Sequence, residues 1–144
     1  MIFFEFSFRD KITTESILKA IQDYYRGVAI SAYSFEEYYG KEVAKQNELP
    51  YIVYQYYHSE KGFAIFFEGE AYGFDSGFDE LSLGCFFAEK FNTEVVINNY
   101  RGQSSFLLIR GDKKIYYADP IGLGDPMYNS DIFEIDYETL VHIE

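Results

Sequence analysis

Three stretches of this chain alternate aromatic and β-branched residues and are cut by turn residues, which commits the fold to a sheet. The first, IFFEFSF at 2–8, sets Ile2, Phe4 and Phe6 on one face and Phe3, Glu5 and Ser7 on the other. The second pairs YIVYQYYH (51–58) with FAIFFEG (63–69) across the turn SEKG, the pattern of a β-hairpin. The third holds TEVVINNY (93–100), SSFLLIRG (104–111) and KIYYADP (114–120), joined by RGQ and GD. Connections that short imply antiparallel neighbours.

Helical spacing appears between these runs. In TTESILKAIQDYY, Thr13 or Thr14 is placed to cap, Glu15 suits the positive helix end, and Ile17, Leu18, Ile21 and Tyr25 share a side. Gly27 is the expected stop. VAISAY (28–33) reads as a short buried strand, and Ser34 as the cap of an exposed polar helix reaching Asn47. FDELSLGCFFAEKFN (78–92) is the best-defined helix: Asp79 and Glu80 stand at its start, Asn92 at its end, and Leu83, Phe86, Phe87 and Phe91 form its apolar side. After a loop at 122–131, FEI reads as a short strand and DYETLVHI as a helical turn or strand. The expectation is one α+β domain spanning residues 1–144, a mostly antiparallel sheet packed by two or three helices.

The chain of 144 residues carries a net charge of −12, from 24 acids and 12 bases. That field repels phosphate, so direct binding to nucleic acid or an anionic membrane is not expected. A basic protein partner, or plain solubility, is. The single Cys85 excludes a disulfide framework and a cysteine-based zinc site, and it reads as a small buried hydrophobe. The start shows no secretory signal and no apolar run approaches membrane length, so a reducing cytoplasm is the expected setting.

Residues 68–80, EGEAYGFDSGFDE, hold five carboxylates and no lysine or arginine. Neither Glu68 nor Asp75 as first ligand satisfies the spacing of an EF-hand, and no histidine pair suits a transition metal, so no metal or other cofactor is expected. His58 and His142 are a turn histidine and a C-terminal one. Nothing in the sequence sets either beside Cys85 as a catalytic base. Asp79 and Glu80 are explained by the helix dipole alone. Glu68 and Glu70, at a strand end, and Asp75, on a glycine-rich loop, are not.

Acids also run from Ile115 to the end without a lysine or arginine, and they alternate with Tyr116, Tyr117 and Tyr128. Acid runs are commonly solvated faces. Interleaved tyrosine and phenylalanine are instead what interface cores concentrate. Such a surface suits a basic partner such as a nuclease, with carboxylates in place of phosphates and tyrosines as anchors. The partner-binding candidates are Glu68, Glu70, Tyr72, Asp75, Asp79, Asp119, Asp125 and Tyr128. A nucleic-acid mimic acting on a class of nucleases is a second reading, and a small hydrolase with a carboxylate pair in a pocket is a third.

Residues 79–110, DELSLGCFFAEKFNTEVVINNYRGQSSFLLIR, are similar to a family pattern of a helix, an L-N-T-x-V strand, a short turn and a W/F-L-L-I strand, here as FNTEVVI and SFLLIR. In this the chain resembles the small immunity proteins of bacterial contact-dependent growth-inhibition and polymorphic-toxin systems. The resemblance implies a non-catalytic protein that binds one cognate toxin domain and blocks its active site or substrate-binding face. It assigns no individual binding residue.

Overall fold

A computed structural model describes residues 1–40, 49–74, 77–99, 105–121 and 133–143. The alternating runs form the strands β1 (Ile2–Phe8), β3 (Tyr51–His58), β4 (Ile65–Tyr72), β5 (Val95–Asn98), β6 (Phe106–Ile109) and β7 (Ile115–Ala118). With β2 (Ser31–Ser34) and β8 (Val141–His142) they make one sheet, in the order β2-β3-β4-β1-β5-β6-β7-β8. Every pairing is antiparallel except that of β2 with β3. The fold is α+β: a mostly antiparallel sheet with three helices, α1 (Thr14–Tyr24), α2 (Phe35–Tyr39) and α3 (Glu80–Phe91), among the described residues.

The helix ends follow local chemistry. The Thr13 side chain accepts from the Ser16 N–H at the start of α1, and Ser34 forms a capping box with Glu37 on α2. Asp79 caps α3 by accepting from Ser82, and Asn92 closes it in the left-handed region at φ 49°.

The first strand sets the layering. Phe4, Phe6 and Phe8 are at most 1% exposed and face α1 and α3 in one cluster with Ile17, Ile21 and Leu83. Phe87 of α3 meets Phe6 edge-on at 5.1 Å and Phe8 at 5.4 Å. Gly69 lies opposite Phe4 in the register, and a Cβ there would run into the Val53 carbonyl and the Phe4 ring. A glycine inside a strand marks such a close approach.

Among the described residues, the opposite face of the same sheet is covered at its two ends. At one end α2 lies against β2 and β3, where Tyr38 packs on Tyr51 and Tyr51 stacks on Tyr72 at 4.8 Å. At the other, Phe133, Ile135 and Leu140 close over Val96, Leu108 and Ala118.

Several expectations differ in detail or reach beyond the described residues. β2 begins three residues later than expected and is half-buried, because as the edge strand it has a neighbour on one side only. The described part of the second helix ends at Tyr39; residues 41–48 of the expected span lie outside the described residues. FEI contributes one bridge, Ile135 to Pro120, rather than a strand, while DYETLVHI supplies both a 3-10 turn (Tyr137–Thr139) and β8. Glu68 and Glu70 sit inside β4, which runs on to Tyr72, because pairing with both β1 and β3 carries the strand past Gly69.

Candidate functional site

Between α2 and the C-terminal segment the second face sinks into a cleft of about 650 Å³. Strand alternation decides what stands on its floor: Glu5 and Ser7 from β1, Phe66 from β4, and Val96 and Asn98 from β5. Phe63, Phe106, Phe133 and Tyr57 give it aromatic walls. The volume lies in the range of small-ligand and side-chain pockets.

One carboxylate, Glu5, lines the cleft, and a second, Glu68, stands beside it. Glu5 is directly opposite Glu68 in the β1–β4 register, and Gln55 of β3 is opposite Glu68 on its other side. Side chains so placed are neighbours on one sheet face. Asn98 Nδ2 donates to Glu5 Oε2 at 2.6 Å, which fixes the Glu5 carboxylate against the cleft. Burial, reinforced by the charge of Glu5, holds the Glu68 carboxyl above its ordinary value. No lysine or arginine lines the cleft among the described residues, and none of their ion pairs involves Glu5 or Glu68. Beside this acidic pair are rings open to water: Phe3, directly opposite Glu70 in the β1–β4 register, is 65% exposed, and Tyr57 is 48% exposed.

The far wall is tied to the sheet by charge. Arg9, just past β1, donates to both Glu134 oxygens at 2.8 and 2.5 Å, and its guanidinium lies 4.1 Å over the Phe63 ring. Arg9 also donates to the Tyr137 hydroxyl. Tyr137 in turn donates to Glu94, which accepts from Arg110 Nε at 3.0 Å. Burial pushes the Glu134 carboxyl up. The Arg9 hydrogen bond, the Ile135 N–H and the Arg9 charge outweigh it, leaving the carboxyl below its ordinary value. Tyr137 is pushed up to about 12, first by burial and then by its bond to Glu94.

The expected binding residues divide accordingly. Glu68, Glu70 and Tyr72 share one face of β4, but only Glu68 stands beside the cleft. Glu70 is 8% exposed, and its oxygens accept from the hydroxyls of Tyr39, at 2.7 Å, and Tyr72. It is an internal acceptor that ties α2 to the sheet, and its charge pushes the Tyr72 hydroxyl, already raised by burial, further up. Asp79 belongs to the helical layer, where its two oxygens are engaged by Ser82. Asp119 follows β7, which three strands separate from β4, and accepts the Ser105 N–H. Asp75, Asp125 and Tyr128 lie outside the described residues.

Sequence reasoning passed over Glu5, Asn98, Arg9 and Phe133. The alternation of IFFEFSF had put Glu5 on the face away from Phe4, but only the register shows it beside Glu68. His58 ends β3 and lines the cleft. His142 packs its ring 5.1 Å from Tyr116 on the outer strands. Cys85 is half-buried, and burial pushes its thiol up, away from the reactive thiolate.

Fold and site together define a class by shape: an antiparallel sheet backed by helices on one face and carrying an acidic, aromatic-walled cleft on the other. No family model, curated protein or solved structure matches the chain. Among the described residues no helix is long and apolar enough to cross a membrane.

Proposed function

We propose that this chain is a non-catalytic immunity protein that binds a cognate toxin domain, a basic nuclease domain by charge, and neutralises it in the cytoplasm. One observation carries the reading: the Glu5–Glu68 pair stands on a sheet face whose neighbouring rings, Phe3 and Tyr57, are 65% and 48% exposed. Exposed aromatic area around half-buried carboxylates is what a binding core presents before its partner arrives. The net charge of −12 supplies steering toward a basic surface. The resemblance of residues 79–110 to immunity proteins points the same way.

The test is co-expression with candidate toxin domains encoded beside the chain's own gene. Growth rescue and a stable complex that weakens as salt rises are expected. A chain that rescues against none of them, or a complex indifferent to salt, would overturn the reading or its electrostatic part, respectively.

A second reading has its own observation. A carboxyl raised above its ordinary value beside an opposed carboxylate, next to a cleft, is also the layout of a general acid and its partner. It predicts hydrolytic turnover that Glu5→Gln and Glu68→Gln both abolish. The exposed rings, Phe3 outside the cleft and Tyr57 on its wall, carry aromatic surface beyond the enclosed volume as a protein-binding surface does, and this favours the binding reading.

A further inference from the structure

The cleft differs from the other concave places on the molecule. The trough between α1 and α3 is lined by Asp23, Arg26, Glu89 and Lys90, charges of both signs, and Lys90 already pairs with Asp23 at 3.2 Å. The Arg9–Glu134–Tyr137 group is satisfied within itself and serves the cleft by holding its wall. Among the described residues, the cleft joins carboxylates that enter no ion pair with aromatic faces and volume.

Its chemistry selects an occupant. Two carboxylates one strand apart offer several acceptor oxygens in a small space, and Asn98 holds one of them in place. Rings at the walls offer faces on which a flat cation stacks. A guanidinium answers both demands, because its planar fork donates in pairs to carboxylates and its weak hydration suits an apolar wall. An ammonium is a strongly hydrated point charge and answers only the first.

We propose that the cleft is the receptor for a single arginine side chain of the bound partner, its guanidinium accepted by Glu5 and Glu68 and laid against the aromatic wall at Tyr57 and the floor at Phe66. This rests on the binding reading above and deepens it. It names the group the partner contributes and the place that group goes. The space exceeds one side chain, so the loop or strand end carrying the arginine enters with it.

The experiment uses the whole chain and a neutral-backbone probe, N-acetyl-arginine amide, titrated while backbone and side-chain NMR signals are followed. Saturable shifts confined to Glu5, Tyr57, Glu68 and Asn98 are expected. N-acetyl-lysine amide should bind at least fivefold more weakly. Glu5→Gln and Glu68→Gln should each weaken the arginine probe tenfold or more, and Tyr57→Ala several-fold, with melting temperatures recorded to show that each variant is folded. Glu60→Gln, at an exposed pair with Lys11, should change nothing. In parallel, the Glu5→Gln/Glu68→Gln double variant should lose affinity for a toxin domain that the parent chain binds. Shifts elsewhere, no saturation, or equal affinity for the lysine probe would overturn the arginine assignment while leaving growth protection as separate evidence for the immunity reading. Probe binding in the cleft with an undiminished toxin complex in the double variant would overturn the partner's arginine as occupant. It would make the cleft a site for a free organic cation.

Discussion

The two faces of the sheet are written by alternate residues of the same strands, yet they are built to different ends. On one, Phe4, Phe6 and Phe8 are sealed by α1 and α3, and the rings interlock at 5–6 Å in edge-on and tilted pairs. On the other, the same strand offers Phe3, Glu5 and Ser7, and among the described residues the cover lies at the flanks, from α2 and from residues 133–140. The sealed face is a problem in packing, where every methylene counts. The half-covered face is a problem in polar satisfaction: Glu70 is answered by two tyrosines, Glu134 by Arg9 and Glu5 by Asn98, and Glu68 is left with its charge penalised. The molecule concentrates its stability on the first face and its chemistry on the second.

That contrast is sharpest along β1. Phe6→Ala should cost about 3–5 kcal/mol, since it opens a cavity against Phe87 at a residue that is 0% exposed. Phe3→Ala, three residues away on the other face, should stay within about 0.5 kcal/mol. Urea unfolding of the two variants checks both, and equal losses would break the comparison. Gly69→Ala should come next, at about 1–3 kcal/mol, because the added methyl meets the Val53 backbone as well as the Phe4 ring. Differential scanning calorimetry should show a lowered Tm with no change in oligomeric state.

On the second face, Arg9→Met should cost about 1.5–3 kcal/mol, because it removes charge-assisted bonds and leaves Glu134 partly buried without its cation. Fluorescence-monitored denaturation measures that loss, and the same variant should weaken the arginine probe by loosening the wall at Phe133. The smallest effect is in pH. Glu134 and Asp79 sit below their ordinary values, so their stabilisation is full above the unfolded carboxylate range and is lost as pH falls through the folded values. Glu68 has the opposite sign: its folded value is raised, so the folded state loses stability as pH climbs through the window from the unfolded value to the folded one. Glu68→Gln should therefore raise the melting temperature slightly at pH 7 and leave it unchanged near pH 3, a difference read from Tm against pH.

Much of this was legible along the chain. α3 matches the expected helix from its Asp79 cap to its Asn92 close, because caps and apolar spacing are local signals. The hairpin strands and the β5–β6–β7 meander follow from alternation and short turns. The site was less legible. Glu70 looked like a surface acid because its two tyrosine donors come from β4 itself and from a helix thirty-one residues earlier. Glu5 looked unremarkable because its companion Glu68 is sixty-three residues away and its holder Asn98 ninety-three.

The sequence by itself determined the strands and helices, the parity that groups Phe4 with Phe6 and Phe3 with Glu5, and an overall charge that attracts cations. Those properties depend on spacing and composition, which need no distant partner. Tertiary structure decided which face each helix covers, which carboxylates are internally satisfied, and that Glu5 and Glu68 stand opposite one another beside a cleft. Register and layer stacking join residues far apart in the chain. Whether a carboxylate is part of the scaffold or is left for a ligand depends on the donors that this joining brings to it.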